Sequence, residues 1–222
     1  MRLAIGRSGK NLSEFAYQQL LDMLLAGKLV PGANLQERRL AGALNISRTP
    51  IREALGRLEA EGLVTRQAGR LMTVCHISVQ TYIEILNVRK LLEVEAAGLA
   101  ADKKIDKTLA ENIRAAIWRL MDTEEPTPAE HWGVDDMVHG AISAAADNTL
   151  LATMIRDLRR RTHIFNTRRI PNRLRPGALE HLALVDAVAA GDKAKARQLM
   201  AEHIGNVKAA IVNQLVSGRT AA

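Results

Sequence analysis

Apolar residues in the first third of the chain recur at helical spacing over three short segments separated by turn signals. The first segment, residues 13–26, ends at Gly27, and Pro31-Gly32 forms a turn soon after it. The second segment covers 37–44. A third helix begins at Ser47, where a hydroxyl cap precedes Pro50 in the first turn, and it ends near 61–62.

Two short β-strand patterns follow the third helix, at 63–65 and 71–74, around a turn at Ala68-Gly69. Three short helices followed by a hairpin are typical of a winged helix-turn-helix. We therefore predict that residues 1–77 form such a domain, with residues 1–10 as a loose tail.

The pattern changes at Ser78, where long amphipathic stretches predict helices at 78–102, 106–123, 128–146, 149–167, 177–190 and 192–216. Prolines at 126, 128 and 171 and the Gly191-Asp192 corner separate several of them. The predicted fold is mainly α, with an all-α antiparallel helical bundle over 78–222 behind the winged domain.

Composition and charge agree with this division, and they argue against a sheet-rich fold, a disulfide-bonded protein and a membrane protein. Only 3% of the 222 residues are aromatic, and 47% are hydrophobic, which favours helices over sheets. Residues 1–78 contribute +5 of the formal net charge of +7, so the smaller part holds most of the basic excess. The single cysteine, Cys75, excludes an intrachain disulfide. With no signal sequence or long apolar run, we expect a cytoplasmic protein and no membrane partner.

The third helix has the pattern of a DNA-recognition helix. Ile51, Leu55 and Leu58 share its inner face, which leaves Thr49 and Arg52 outside. N-terminal residues of such a helix reach base edges in the major groove, where arginine binds guanine with two hydrogen bonds. The residues alone also allow a solvated helix surface with no DNA contact.

A longer run of motifs resembles the GntR family of regulators: LVPG at 29–32, LQERRLA at 35–41, ISRTPIREAL at 46–55 and LEAEGLV at 58–64. The resemblance implies that the chain binds double-stranded DNA. It also implies a set of DNA-contacting residues, which here are Arg38, Ser47, Arg48, Thr49, Arg52 and, in the wing, Gly69 and Arg70. The family wing often reads Gly-Arg-Gly, whereas Leu71 stands in the last position here.

The second part contains four residues of metal-ligand type. Asp135 and His139 lie one helical turn apart, and His181 and His203 lie on the last two predicted helices. Imidazole and carboxylate suit a divalent metal, and facing helices of a bundle can bring them together. Ordinary buried or surface polar residues remain the alternative at this point.

Three segments in this region resemble the ligand-binding domain of FadR-type regulators, called FCD: 82–101, 135–148 and 180–204. The resemblance implies a metal held by Asp135, His139, His181 and His203. Val138 replaces a phenylalanine that is common there. Zinc is the expected ion, with nickel or manganese as alternatives.

Arg89 matches an arginine that lines the pocket of this family, where a guanidinium can clamp a carboxylate effector. Its alternative role is a surface pair with Glu93, four residues along the same helix. We interpret His76, His131 and His163 as structural, and the basic run Arg159-Arg160-Arg161 with Arg168-Arg169 as solvated or dimer surface.

These observations predict a transcription regulator, not an enzyme. The expected protein is a homodimer on a palindromic operator. The resemblance implies that it is a repressor and that its effector is a small organic acid or related metabolite, which we expect to bind near the metal. A metal-free effector-binding regulator and a metal-dependent enzyme are the competing hypotheses.

Overall fold

The structure is a computed structural model that describes residues 9–67, 71–165 and 173–219. The chain divides into two compact units, Met1–Ile77 and Ser78–Ala222. The first contains three helices and a two-stranded hairpin, and the second is entirely helical over its described residues. This is the mainly α architecture that the sequence predicts.

The first unit consists, in chain order, of α1 (Gly9–Leu25), α2 (Glu37–Leu44), α3 (Arg48–Ala60), β1 (Val64–Gln67) and β2 (Leu71–Val74). The two strands are antiparallel, with Val64 opposite Val74 and Gln67 opposite Leu71. The core of this unit lies between α1 and α3, where the large apolar side chains of both helices are fully buried: Leu20, Leu24, Ile51, Leu55 and Leu58.

Two boundaries differ from the sequence prediction. Helix α1 begins at Gly9, so Gly9 and Lys10 are helical and the predicted tail of 1–10 is too long. Ser13, the predicted first residue, therefore lies inside the helix, where its hydroxyl donates a hydrogen bond to the Glu53 carboxylate. Strand β1 extends to Gln67, beyond the predicted 63–65, because it continues to pair with β2.

The connection between α2 and α3 is tight. Asn45 ends α2 in the left-handed conformation with φ 52°, which asparagine tolerates better than most residues. Ser47 then precedes α3 in extended conformation. It occupies the predicted cap position, but its side chain makes no capping hydrogen bond.

The described part of the second unit contains six helices: α4 (Val79–Lys103), α5 (Lys107–Asp122), α6 (Pro128–Ala145), α7 (Thr149–Phe165), α8 (Leu174–Ala190) and α9 (Lys193–Arg219). Side-chain caps start several of them. Thr127 and Glu130 form a capping box at α6, and Ser78 accepts a hydrogen bond from the Thr81 amide at α4. Gly191 ends α8 with φ 79°, the left-handed conformation that glycine adopts without strain.

Helix α4 is the centre of this bundle and packs against α6, α7, α8 and α9. Its C-terminal part is rich in alanine, and four of these residues are fully buried: Ala96, Ala97, Ala100 and Ala101. Small side chains let neighbouring helices approach closely, so polar groups on α4, α6, α8 and α9 can meet inside the bundle. No helix among the described residues is both long and apolar enough to cross a membrane.

Candidate metal centre and nucleic-acid interface

The four metal-ligand candidates meet inside the second unit. Asp135 and His139 lie one turn apart on α6, while His181 comes from α8 and His203 from α9. Each offers one ligand atom, and these four atoms lie within 4.8 Å of one another. All three histidines are buried, and Asp135 is half-buried.

Asp135 faces two of the histidines with one carboxylate oxygen. Its Oδ1 atom lies 3.5 Å from Nε2 of His181 and 3.9 Å from Nε2 of His139. The third ring, that of His203, has its centroid 4.6 Å from that of His181 and 5.2 Å from that of His139. Three nitrogens and one oxygen thus converge on one point.

Two of the three imidazoles form hydrogen bonds to glutamates through their Nδ1 atoms. His139 donates through Nδ1 to Glu93, and His203 donates through Nδ1 to Oε2 of Glu180 at 2.8 Å. A carboxylate partner at Nδ1 fixes the neutral tautomer and turns the Nε2 lone pair away from the glutamate. Burial lowers the pKa of His139 and lowers that of His181 well below its usual value, so both rings are neutral near pH 7.

Each of these glutamates is in turn paired with an arginine. Arg89 donates from Nε to Glu93 at 2.7 Å, and Arg173 binds Glu180 with two nitrogens at 2.9 and 2.6 Å. Burial alone raises the pKa of Glu180, but its hydrogen bonds to His203 and Arg173 outweigh that effect and lower it to about 2. Both glutamates therefore remain ionised and keep accepting from their histidines.

Another arginine, Arg159, is buried and contacts the candidate metal ligand Asp135 on α6. Nη2 of Arg159 lies 2.6 Å from Oδ2 of Asp135 and 2.6 Å from Oδ1 of Asp136. Burial raises the pKa of Asp135, but Arg159 and the three histidines overcome this and hold it well below the usual value. Asp135 is therefore anionic, with Oδ2 occupied by Arg159 and Oδ1 turned toward the histidines.

The chemistry of this cluster fits a divalent metal ion. Nε2 of His139 and Nε2 of His181 are buried without a hydrogen-bond partner among the described residues. Buried polar atoms in proteins are almost always satisfied, so two such ring nitrogens beside an anionic oxygen make this cluster a candidate site for a cation.

The supporting residues Glu93, Glu180, Arg159 and Arg173 were not identified from sequence as part of this site. The signals available were the spacing of Arg89 and Glu93 and the position of Glu180 directly before His181. The prediction that Arg159 is solvated or on a dimer surface is wrong, because its side chain is buried in ion pairs with two aspartates. Arg168 and Arg169 lie outside the described residues.

Arg89, the candidate effector ligand, is buried rather than on the surface. It forms the anticipated pair with Glu93, and Nη1 donates to the Thr162 hydroxyl at 3.1 Å. These contacts use Nε and Nη1 of the guanidinium.

His163 is a further buried histidine of this unit and is not one of the four candidate ligands. It is buried, its ring stacks on Trp132 with the centroids 3.9 Å apart, and burial lowers its pKa to about 4. These features agree with the structural role expected for it.

In the first unit, the candidate DNA-contacting residues lie at or near the N-terminal ends of α2 and α3. Five of them are exposed: Arg38, Ser47, Arg48, Thr49 and Arg52. Arg52 also forms a two-bond ion pair with Glu37, the first residue of α2. Gly69 and Arg70, the two wing candidates, lie outside the described residues.

Comparisons with known proteins agree with both halves of the structure. Residues 12–74 match the model of the bacterial regulatory proteins of the gntR family, and residues 84–206 match that of the FCD domain. The chain therefore belongs to the GntR family of transcription regulators and carries an FCD domain.

One similar protein is the HTH-type transcriptional regulator LutR of Bacillus subtilis, 30% identical over 212 residues, or 84% of this chain and 94% of LutR. Among solved structures, Escherichia coli McbR/YncC matches with a TM-score of 0.80 at 26% identity, over 92% of this chain and 98% of McbR. A GntR-type regulator from Rhodococcus sp. RHA1, at 21% identity and a TM-score of 0.72, shares the fold over 90% of this chain and 97% of its own. The families and relatives are transcription regulators, not enzymes.

Proposed function

We propose that this regulator is a repressor whose FCD domain binds a small organic acid next to a divalent metal ion. Residues 1–77 would bind DNA, and residues 78–222 would hold the metal, the effector and the dimer contacts. The observation that carries the proposal is the pair of buried, unpartnered Nε2 atoms on His139 and His181 facing the Asp135 carboxylate.

The metal ligands would be Asp135, His139, His181 and His203. Three imidazole nitrogens with one carboxylate oxygen are a donor set that zinc accepts readily, and nickel or manganese also bind such residues. When bound, the ion supplies a Lewis-acidic position that can accept an oxygen of the effector. The protein's own contribution would be to orient His139 and His203 through Glu93 and Glu180.

The charge inside the bundle supports an anionic effector. Around the site, three arginines (Arg89, Arg159 and Arg173) face four carboxylates (Glu93, Asp135, Asp136 and Glu180), a net charge of −1 with neutral histidines. A divalent cation changes this to +1, which one carboxylate of an effector would neutralise. Arg89, which is buried beside this cluster, would donate to that carboxylate.

A homodimer on a palindromic operator would place two copies of α3 in successive major grooves, with Arg38, Ser47, Arg48, Thr49 and Arg52 at the DNA and Gly69 and Arg70 in the wing.

The second unit exposes apolar side chains on two helices that pack together. Val88 and Leu91 on α4 are 42% and 74% exposed, and Leu150 and Met154 on α7 are 70% and 44% exposed. A second copy of the chain would bury them.

Effector control requires that the organic acid bind the DNA-competent and DNA-incompetent states with different affinities. A reporter gene behind an operator selected with the purified protein tests the direction of control. Repression predicts lower expression when the protein is present.

The decisive experiment measures metal content in protein purified without chelator or affinity-tag metal. We expect about one divalent ion per chain, with loss of the ion in His181→Ala and retention in His163→Ala, a control that removes another buried histidine of the same unit. Wild-type protein without metal that still binds operator would overturn the metal site and support the metal-free alternative.

A further inference from the structure

Glu37 and Arg52 form a planar, two-bond contact at the surface that carries the candidate DNA-contacting residues. Nε of Arg52 donates to Oε1 of Glu37 at 3.0 Å, and Nη2 donates to Oε2 at 2.8 Å. The Arg52 side chain is 65% exposed despite this pairing, and Glu37 is 31% exposed. The contact therefore leaves the far end of the guanidinium open to solvent.

This arrangement selects one of the two edges of the guanidinium. The side edge, Nε with Nη2, is taken by the glutamate, and the end edge, Nη1 with Nη2, remains. Guanine presents two acceptors, O6 and N7, in the major groove, and an end-on arginine fits them with two hydrogen bonds. A guanidinium already anchored along its side edge presents that end in one orientation instead of many.

The helix positions make the anchor rigid. Glu37 is the first residue of α2, where the positive end of the helix favours a carboxylate, and the tight turn at Asn45 fixes α2 against α3. The hydrogen bond from Arg52 is the largest cause that lowers the pKa of Glu37, so the carboxylate is ionised at neutral pH.

We propose that Glu37 is a positioning residue that determines the base preference of Arg52: it holds the guanidinium end-on toward a guanine and offers no contact to the base itself. This inference rests on the base contact proposed for Arg52. The negative charge of Glu37 would lie where DNA phosphates approach, so we expect the glutamate to lower the affinity for non-specific DNA. At the same time it would raise the preference for guanine at the base pair that Arg52 contacts.

The same unit contains a matched control. Arg66 and Glu59 form another exposed ion pair, with Nη2 of Arg66 3.1 Å from Oε2 of Glu59, and neither is a candidate base-reading residue. Replacing Glu59 removes the same charge as replacing Glu37 and leaves Arg52 anchored.

The test is selection from a library of random 20-base-pair duplexes at fixed salt, with sequencing of the bound fraction, for wild type, Glu37→Gln, Glu37→Asp, Arg52→Ala and Glu59→Gln. Arg52→Ala should lose a guanine preference at one position of each half-site. Glu37→Gln and Glu37→Asp should weaken that same preference about 5-fold or more. Glu59→Gln should keep it.

Glu37→Asp separates geometry from charge, because the shorter side chain keeps the charge but does not reach both nitrogens of Arg52. Binding of Glu37→Gln to a duplex without the selected site should rise, and thermal unfolding of each variant verifies that the folded state is intact. If Arg52→Ala retains every base preference, the base contact of Arg52 and this inference both fail. If Arg52→Ala loses the preference while both Glu37 variants keep it, or if Glu59→Gln loses it equally, only the positioning role of Glu37 fails.

Discussion

Oε2 of Glu180 on α8 accepts a hydrogen bond from Nδ1 of His203 on α9 at 2.8 Å, and the same glutamate binds Arg173 and Asn206. The carboxylate thus orients His203, a candidate metal ligand, through Nδ1 and not through the ring nitrogen that would bind the metal.

Replacing Glu180 with glutamine should weaken metal binding while leaving the four ligands in place. Loss of the carboxylate partner makes the His203 imidazole less basic and less well oriented, and we expect a metal affinity about 10- to 100-fold lower. Competition with a fluorescent chelator measures it. Glu202 lies at an exposed position beside His203, and its side chain accepts a hydrogen bond from Gln198. Glu202→Gln should bind metal like wild type; equal affinities for all three proteins would contradict the role of Glu180.

Replacing Arg159 with methionine should destabilise the metal-free protein by about 3 to 5 kcal/mol, because it leaves Asp135 as an unpaired, largely buried charge. A bound divalent cation would restore a partner to that carboxylate, so metal should raise the melting temperature of the variant more than that of wild type. Calorimetry with and without zinc measures both effects. Arg156→Met, which breaks an exposed pair with Asp157, should behave like wild type; a variant Arg159→Met of unchanged stability would refute the prediction.

His163 should make the protein less stable as pH falls below neutrality. Its pKa is about 4 in the folded protein and about 6.5 when unfolded, so the unfolded state binds the extra proton first. Between these values stability falls with falling pH, by at most about 3 kcal/mol from this residue. His163→Phe keeps the stack on Trp132 without the titration, and chemical denaturation at pH 7 and pH 4.5 should show a smaller pH dependence in the variant. The same slope in both proteins would exclude the effect.

Replacing Gly56 with alanine should raise the stability of the protein and lower its affinity for DNA. It is an exposed residue inside α3 where an added Cβ meets nothing within 4 Å, so Gly56→Ala should stabilise the helix by about 0.5 to 1 kcal/mol. The methyl group would stand on the helix surface that approaches DNA, and affinity for the selected duplex should fall. Gly42→Ala in α2 has equal space and should stabilise without that loss. Gel-shift titrations and thermal melts of both variants distinguish the outcomes; tight DNA binding by Gly56→Ala would argue against close approach at this position.

Leu91 on α4 tests the proposed dimer surface. Its side chain is 74% exposed, and a charge there should prevent burial against a second copy. We expect Leu91→Glu to sediment as a monomer and to bind DNA half-sites independently, whereas Leu109→Glu, on α5, keeps the wild-type mass. A dimeric Leu91→Glu would place the interface elsewhere.

Local sequence signals predicted most of the fold. The bounds of α2 are those predicted, since an apolar face, a following asparagine and flanking turns are all encoded within a few residues. Helix α1 starts at Gly9, earlier than predicted. The contact between the Ser13 hydroxyl and Glu53 joins two helices, so the local sequence could not indicate it.

The candidate site was predictable in part for the same reason. The Asp135 and His139 pair follows from helical spacing, whereas the approach of His181 and His203 to it depends on how α6, α8 and α9 pack, and the family resemblance supplied it. The buried arginines could not be inferred, because Arg159 in an Arg-Arg-Arg run has the appearance of a surface residue. Its burial depends on two aspartates on another helix.

Glu180 and His181 are consecutive on α8, yet they contact different helices. Glu180 accepts a hydrogen bond from His203 on α9, whereas His181 faces Asp135 on α6. Inserting or deleting one residue earlier in α8 would rotate both side chains by about 100° and break both connections together. Substitutions can accumulate along this helix during evolution, but changes in its length cannot. We expect insertions and deletions among relatives to fall before Leu174 or at the Gly191 corner, and an alignment of FCD-domain sequences can verify this.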